Sequence, residues 1–356
     1  MVPDRAATQQ ALTLSCDGLQ KQIVVLIEAE KKRTVHCRPR GASMVRVTVL
    51  NFCRVRHGTM MRRGNLWLGL LLTACMWGGV SVVRAGGEMS DCPFAAHNAY
   101  PWRLYAPGRF EQALDAGLKH IEVDITFDPV KKKAVATHDA KPNGKETELG
   151  TLLEPMWKKW LASDEQGYTL ILDFKTSSPE LVEAVAEVLE PYREQLSTLG
   201  KEAGSKFEER KITVCLTGNT AAHRLYAESV PAEGAYLAFG DLGGNDWRAD
   251  VASYVPKEPA GFVRFLTYER SAFQDAQGAK GDNHLSVERL AKLMELARQR
   301  NYHVRIYTLN PPKKAGESDT TAWSRCVEAG VEMISTDAYP LARQWWLEHG
   351  SAAVDR

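Results

Sequence analysis

His120-Ile121-Glu122-Val123-Asp124-Ile125-Thr126-Phe127 is the stretch on which the fold reading turns. Side chains alternate across a strand, so Ile121, Val123 and Ile125 share one face while Glu122 and Asp124 share the other. The apolar face belongs against helices, which turns two carboxylates inward, about 6.5–7 Å apart at Cα. Leu170-Ile171-Leu172-Asp173-Phe174-Lys175 repeats the pattern, with Asp173 and Lys175 on the inward face. In a barrel of parallel strands, polar groups at the C-terminal ends of the strands are where catalytic groups sit.

Working outward, strands and helices alternate from residue 94 onward. Strands are expected at Phe94–Ala96, His120–Phe127, Tyr168–Phe174, Ile212–Thr217, Ala235–Phe239, Phe262–Thr267, His303–Leu309 and Glu332–Thr336. Ala134–His138 reads as a hairpin arm, with Lys131-Lys132-Lys133 at its turn. Helices are expected over Pro107–Ala116, Leu149–Leu161, from Ser178 (the N-cap, with Pro179 following) to about Leu196, from Ser286 to Arg300, and over Thr321–Ala329. Residues 240–260 and 275–285 read as long polar loops. Eight strands, most of them separated by helices, give an α/β fold, a TIM (β/α)8 barrel with a short β-hairpin in the loop after strand 2. A doubly wound open sheet is the rival, and no G-x-G-x-x-G or Walker sequence favours it.

The chain has 356 residues and a formal net charge of +1. That balance conceals a split: residues 1–85 hold thirteen bases and four acids, and the remaining 271 hold 32 bases and 40 acids. A basic nucleic-acid binder is thereby disfavoured. Met60-Met61-Arg62-Arg63, the apolar run Leu66–Val83 and then Val83-Arg84-Ala85 follow the order of a secretory signal. The expected organisation is a non-native extension over 1–59, a signal peptide over 60–85 and a barrel domain over 86–356. Residues 1–59 show no sustained period apart from the apolar run Ile23–Ile27. Export to the periplasm or medium after cleavage near Ala85 is expected. The alternatives are a lipid anchor on Cys75, in Leu72-Thr73-Ala74-Cys75, and an uncleaved anchor helix. Cys92, Cys215 and Cys326 are scattered over the body and suggest neither a disulfide framework nor a zinc ribbon.

The candidate chemistry lies at the C-terminal ends of strands. Glu122, Asp124 and Asp173 can grip one hard cation, Mg²⁺ or Ca²⁺; structural salt bridges are the bland alternative. Lys175 can offset the negative charge or touch an anionic substrate. His97, in Ala95-Ala96-His97-Asn98, and His138, in Ala136-Thr137-His138-Asp139, suit an acid and a base near neutral pH. Either one alone is more readily a core histidine.

The order Phe110-x-x-Ala113-x-x-x-Gly117-x-x-x-Ile121-Glu122-x-Asp124, then His138-Asp139, then Leu172-Asp173-Phe174-Lys175, resembles the glycerophosphodiester phosphodiesterase-like (PLC-like phosphodiesterase) barrels. Tyr307-Thr308-Leu309-Asn310 and Ala329–Pro340, with Ser335-Thr336-Asp337, resemble the family's closing strands. The resemblance spans about residues 94–343. It implies His97 and His138 as the acid/base pair, Lys175 as the phosphate-side lysine, and Glu122, Asp124 and Asp173 as metal ligands. Asn98, Asp139 and Tyr307 are implied as weaker substrate contacts. Leu104-Tyr105-Ala106 stands where the family has E-N-T, so one metal-binding Glu is missing. His97-Asn98-Ala99-Tyr100 looks nearest to the altered-inheritance-of-mitochondria protein six branch. The three-carboxylate set looks like the sphingomyelinase D/phospholipase D toxins.

The implied activity is divalent-metal-dependent hydrolysis of a phosphoric diester, on glycerophosphodiesters or phospholipid headgroups. A transient contact with a membrane surface is expected, and no nucleic-acid partner. The alternatives are a non-catalytic phosphate-ligand-binding barrel and a phospholipase D/sphingomyelinase D-type lyase with a cyclic phosphate product. N-terminal sequencing of the exported protein is expected to begin at Gly86. Recovery of peptides from residues 1–59 would overturn a natural start at Met60 or Met61.

Overall fold

A computed structural model describes residues 92–103, 105, 107–244, 249–273, 285–310 and 320–354, and the backbone of four strands between residues 10 and 50. The chain divides into two units, Met1–Gly87 and Glu88–Arg356. In the first, Gln10–Ser15, Lys21–Ile27, Lys32–Pro39 and Val45–Leu50 form an antiparallel meander. This corrects the expectation of no period there: Val45-Arg46-Val47-Thr48-Val49 alternates with period two, as a strand does. The export segment 60–85, with Ala85 and Cys75, lies outside the described residues. No helix among the described residues is long and apolar enough to cross a membrane.

The second unit is the barrel. Its strands are β1 (Phe94–Ala96), β2 (His120–Asp128), β3 (Tyr168–Phe174), β4 (Ile212–Gly218), β5 (Phe239–Leu242), β6 (Val263–Glu269), β7 (His303–Tyr307) and β8 (Met333–Thr336). All pair in parallel in ring order, and β1 pairs with both β8 and β2, which closes the sheet. The helices are α1 (Arg109–Asp115), α2 (Leu149–Ala162), α3 (Pro179–Leu189), α4 (Thr220–Ser229), α5 (Val287–Gln299), α6 (Thr321–Glu328) and α7 (Tyr339–Val354).

The apolar face of each strand meets the helices in one large core, which includes Ile121, Val123, Leu172, Val214, Leu266, Ile306 and Ile334. A second, smaller core fills the lumen with Ala95, Ile171, Cys215, Phe239, Phe265 and Met333. At the N-terminal end of the barrel, Leu199, Phe207 and Tyr236 pack against that lumen core. The apolar plug leaves the opposite, C-terminal end of the lumen for polar groups.

Several boundaries differ from expectation for identifiable reasons. The segment expected as one strand, Ala235–Phe239, is split. Ala235–Tyr236 joins a small antiparallel sheet with Thr198–Gly200 and Phe207–Glu208, and the barrel strand is Phe239–Leu242. The helix expected to reach Leu196 ends at Leu189 and continues as a 3-10 turn, Glu190–Gln195. Pro191 lacks the N–H that an α-helix needs there. The hairpin arm is Lys133–Ala136, antiparallel to Ile125–Asp128, so His138 lies just past it.

The caps behave as read. Ser178 Oγ accepts from Leu181 N at 3.2 Å, and Ser286 Oγ accepts from Arg289 N at 3.3 Å. Ser178→Ala is expected to lower unfolding free energy by about 1 kcal/mol in urea melts.

Candidate functional site

Strand register brings the carboxylates together. Asp124 of β2 stands directly beside Asp173 of β3 in the parallel ladder, and Glu122 lies one inward position below Asp124. One carboxylate oxygen from each of the three falls within 4.8 Å of the other two. His97 follows the end of β1, His138 follows the hairpin arm, and Lys175 follows β3. All six line one cavity of about 620 Å³ at the C-terminal end of the barrel, with Asn98 and Tyr307.

Asp124 is 1% exposed, and its two oxygens differ. Oδ2 accepts from Tyr100 OH at 2.6 Å, pairs with His138 Nδ1 at 2.6 Å and with Lys175 Nζ at 2.8 Å. Oδ1 is buried with no partner. A buried carboxylate oxygen without a donor is costly, and a hard cation would relieve it. The three-carboxylate, all-oxygen donor set fits Mg²⁺ or Ca²⁺ and not a soft metal. Lys175 Nζ also reaches Asp173 Oδ1 at 3.0 Å, so the ammonium lies between two of the three carboxylates. Burial works against that charge, but Asp173 and Asp124 outweigh it and raise the Lys175 pKa.

Glu122 is held from across the lumen. Arg305 of β7 donates to Glu122 Oε2 through a guanidinium nitrogen, and its Nε donates to Ser335 Oγ of β8 at 2.8 Å. The Glu122 and Arg305 side chains are both 3% exposed. His97 Nε2 lies 3.7 Å from Glu122 Oε2, and His97 Nδ1 lies 3.4 Å from Asp337 Oδ2. Burial opposes the imidazolium, yet Glu122 and Asp337 prevail and the His97 pKa is raised above 6.5. Asp337 is itself clamped by Arg109 at 2.7 Å and Asn310 at 2.5 Å. Burial would push its carboxyl up, but His97, Arg109 and Asn310 together hold it down at about 2.

Of the weaker candidates, Asn98 sits at φ 55 and aims Nδ2 at His97 Nδ1 (2.8 Å) and at Asp337 Oδ1 (3.3 Å). It buttresses His97 in addition to lining the cavity. Tyr307 stacks on His97 with ring centroids 6.5 Å apart. Asp139 does not line the cavity: it takes Trp102 Nε1 at 3.0 Å and Arg103 at 3.2 Å.

Sequence reasoning missed Arg305, Asp337, Arg109 and Tyr100. Arg305 was within reach, since the alternation that turns Tyr307 inward turns Arg305 inward too. Asp337 stands inside the closing motif without a role. Arg109 and Tyr100 carry no pattern of their own.

No protein-family model matches the chain, and no curated protein matches it. Similar solved structures include the calcium-dependent phosphoinositol-specific phospholipase C of a Gram-negative Pseudomonas species, at 16% identity and TM-score 0.43, covering 73% of this chain and 93% of that one. The phosphatidylinositol-specific phospholipase C of Listeria monocytogenes is similar at 10% identity and TM-score 0.38, with the same coverage. The 7,8-dihydropteroate synthase of Vibrio fischeri is similar at 12% identity and TM-score 0.33, covering 74% of this chain and 92% of that one. Likeness at this level says nothing of the reaction, and the barrel rests on its own strand pairing.

Arg305→Ala strands a buried carboxylate and is expected to destabilise the barrel by about 3–5 kcal/mol in denaturant melts. Arg305→Met combined with Glu122→Gln should recover much of that loss. The His97 imidazole is expected to titrate above 6.5 by NMR, and Asp337→Asn should lower its pKa. Because the folded pKa is raised, the stabilisation from His97 is whole below 6.5 and fades as pH climbs through the raised value. Asp337→Asn should flatten that slope.

Proposed function

We propose that the chain is a divalent-metal-dependent phosphoric diester hydrolase of the glycerophosphodiester phosphodiesterase-like kind, acting on glycerophosphodiesters or phospholipid headgroups and exported after cleavage near Ala85. The observation that carries this reading is that two histidines line one cavity and each is joined to the same cluster of three carboxylates. His97 meets the cluster through Glu122 and His138 meets it through Asp124. The barrel motifs quoted above support it independently.

His97 suits the role of acid: Glu122 and Asp337 outweigh burial and raise its pKa, and Asp337 and Asn98 orient its ring. His138 is about half exposed, and Asp124 fixes its Nδ1, which leaves Nε2 to take a proton from water or a substrate hydroxyl. Lys175 neutralises a phosphoryl oxygen at the rim of the carboxylate cluster. A divalent ion held by Glu122, Asp124 and Asp173 would supply further charge stabilisation to the phosphoryl oxygens. Attack by a neighbouring substrate hydroxyl, giving a cyclic phosphate, uses the same two histidines.

One observation favours a second reading. Lys175 already lies between Asp124 and Asp173, so its ammonium can serve as the site's cation without a metal.

His97→Ala and His138→Ala are each expected to lower turnover of a phosphodiester probe by about 10²–10⁴-fold. EDTA should abolish turnover, and added Mg²⁺ or Ca²⁺ should restore it. Turnover that survives EDTA but is lost in Lys175→Met selects the second reading. Turnover unchanged in both histidine variants overturns the assignment.

A further inference from the structure

The cavity has a second wall that the proposed chemistry does not use. β4, β5 and β6, consecutive in the ring, bring Thr217, Asp241 and Thr267 to it. Thr217 is the direct ladder neighbour of Asp173, so this wall begins where the carboxylate cluster ends. Thr217 is 2% exposed, and its Oγ1 is buried with no hydrogen-bond partner. Thr267 is 8% exposed, and its hydroxyl faces the Asp241 carboxyl and helps to hold it ionised. The ion-pair contact of Asp241 is with His223 Nδ1 at 3.7 Å, beyond hydrogen-bond length. Burial pushes the Asp241 carboxyl up to about 7, so near neutral pH it can donate a hydrogen bond as well as accept one.

The backbone keeps this wall clear of bulk. Gly218 has φ 84 and packs so closely on Asp173 that a Cβ would stand 2.4 Å from its Oδ1. A Cβ on Gly243 would stand 2.3 Å from the Thr267 carbonyl oxygen. Glycine at these two places lets the strands close on the lumen while adding no side chain to it.

We propose that Thr217, Asp241 and Thr267 form a subsite for a polyhydroxylated headgroup such as inositol, in preference to choline. The inference rests on the phosphodiesterase reading of the adjoining histidines and carboxylates. Hydroxyls both donate and accept, so a polyol can pair with two threonine hydroxyls and a carboxyl together. A trimethylammonium group offers none of these donors and is bound instead by aromatic faces. Among the described lining residues the phenol rings are Tyr105 and Tyr307, and neither is on β4, β5 or β6: Tyr307 stacks on His97, and Tyr105 packs edge-on against Tyr100. A wall built to hydrogen-bond a substrate rejects an analogue that leaves its polar groups unpaired.

The test compares lysophosphatidylinositol with lysophosphatidylcholine, which share a glycerol backbone and differ in headgroup. The wild-type kcat/KM should favour the inositol lipid at least tenfold. Asp241→Ala, and the near-isosteric Thr217→Val and Thr267→Val, should shrink that ratio by roughly tenfold or more, chiefly through KM. Equal turnover of the two lipids, a choline preference, or variants that lower both rates alike would overturn the subsite. If neither lipid is turned over, the lipid substrate fails while the hydrolase reading is still judged on the phosphodiester probe. The wall is then judged by calorimetry with inositol 1-phosphate and phosphocholine as probes. Tighter inositol 1-phosphate binding that is lost in Thr267→Val upholds the subsite, and equal affinities overturn it.

Discussion

The Glu122–Arg305 pair is the interaction on which the rest of the site depends. It spans the lumen from β2 to β7, with both side chains all but removed from water. Two such charges gain little net stability over well-packed apolar residues, because desolvation consumes most of the Coulombic attraction. What the pair does is fix positions. Arg305 cannot leave Glu122 without stranding a carboxylate, and it is also tied to Ser335 of β8. Strands β2, β7 and β8 are therefore pinned to one another at the level where the apolar lumen core of Ile171, Cys215 and Phe265 gives way to polar groups.

Above that level each charge is placed by another. Glu122 and Asp337 stand on either side of His97, and their combined field overcomes the penalty of burying an imidazolium. Asp337 can do so because Arg109 and Asn310 keep it ionised. Asn98, in the left-handed region, sets its amide against the same ring. His138 is simpler, since it is half exposed and one short contact to Asp124 fixes it. The two histidines thus reach the same cavity with different surroundings: one set between two carboxylates that favour its charged form, the other half open to solvent. Groups of one chemical type pushed into unlike environments are how acid and base roles are divided.

Most of the barrel was legible because its strands are short apolar runs that alternate along the chain with helical patterns. Glu122, Asp124, Asp173 and Lys175 were legible for the same reason: a charge on the inward face of a β-branched strand breaks the pattern visibly. The losses are equally physical. Asp241 falls in the stretch 240–260, which reads as a polar loop, and Gly240 and Gly243 on either side serve close packing that only the assembled barrel requires. Ala235–Tyr236 has strand composition, and nothing local distinguishes a barrel strand from a rung of the small sheet at the N-terminal end. Arg109 lies on α1, and its partner Asp337 is 228 residues away, a contact that no local spacing encodes.

The charges of the site also bear on which cation the substrate meets. Glu122, Asp124 and Asp173 bring three negative charges, and Arg305 and Lys175 return two. His97, whose pKa these carboxylates raise, would bring the group to neutrality when protonated, while Arg109 and Asp337 cancel each other. The phosphodiester proposed as substrate would carry one further negative charge into a poorly solvated space. With lysine as the sole mobile cation, its ammonium would have to turn from Asp124 and Asp173 to the phosphate, exposing two carboxylates to the incoming anion. Glu122, Asp124 and Asp173 would hold a divalent ion, whose charge would let Lys175 turn without that penalty; Asp124 Oδ1 has no protein donor of its own. The unshared oxygen and the shared lysine therefore point the same way: the arrangement of donors around Asp124 is better balanced with an ion and an anionic substrate together than with the substrate alone.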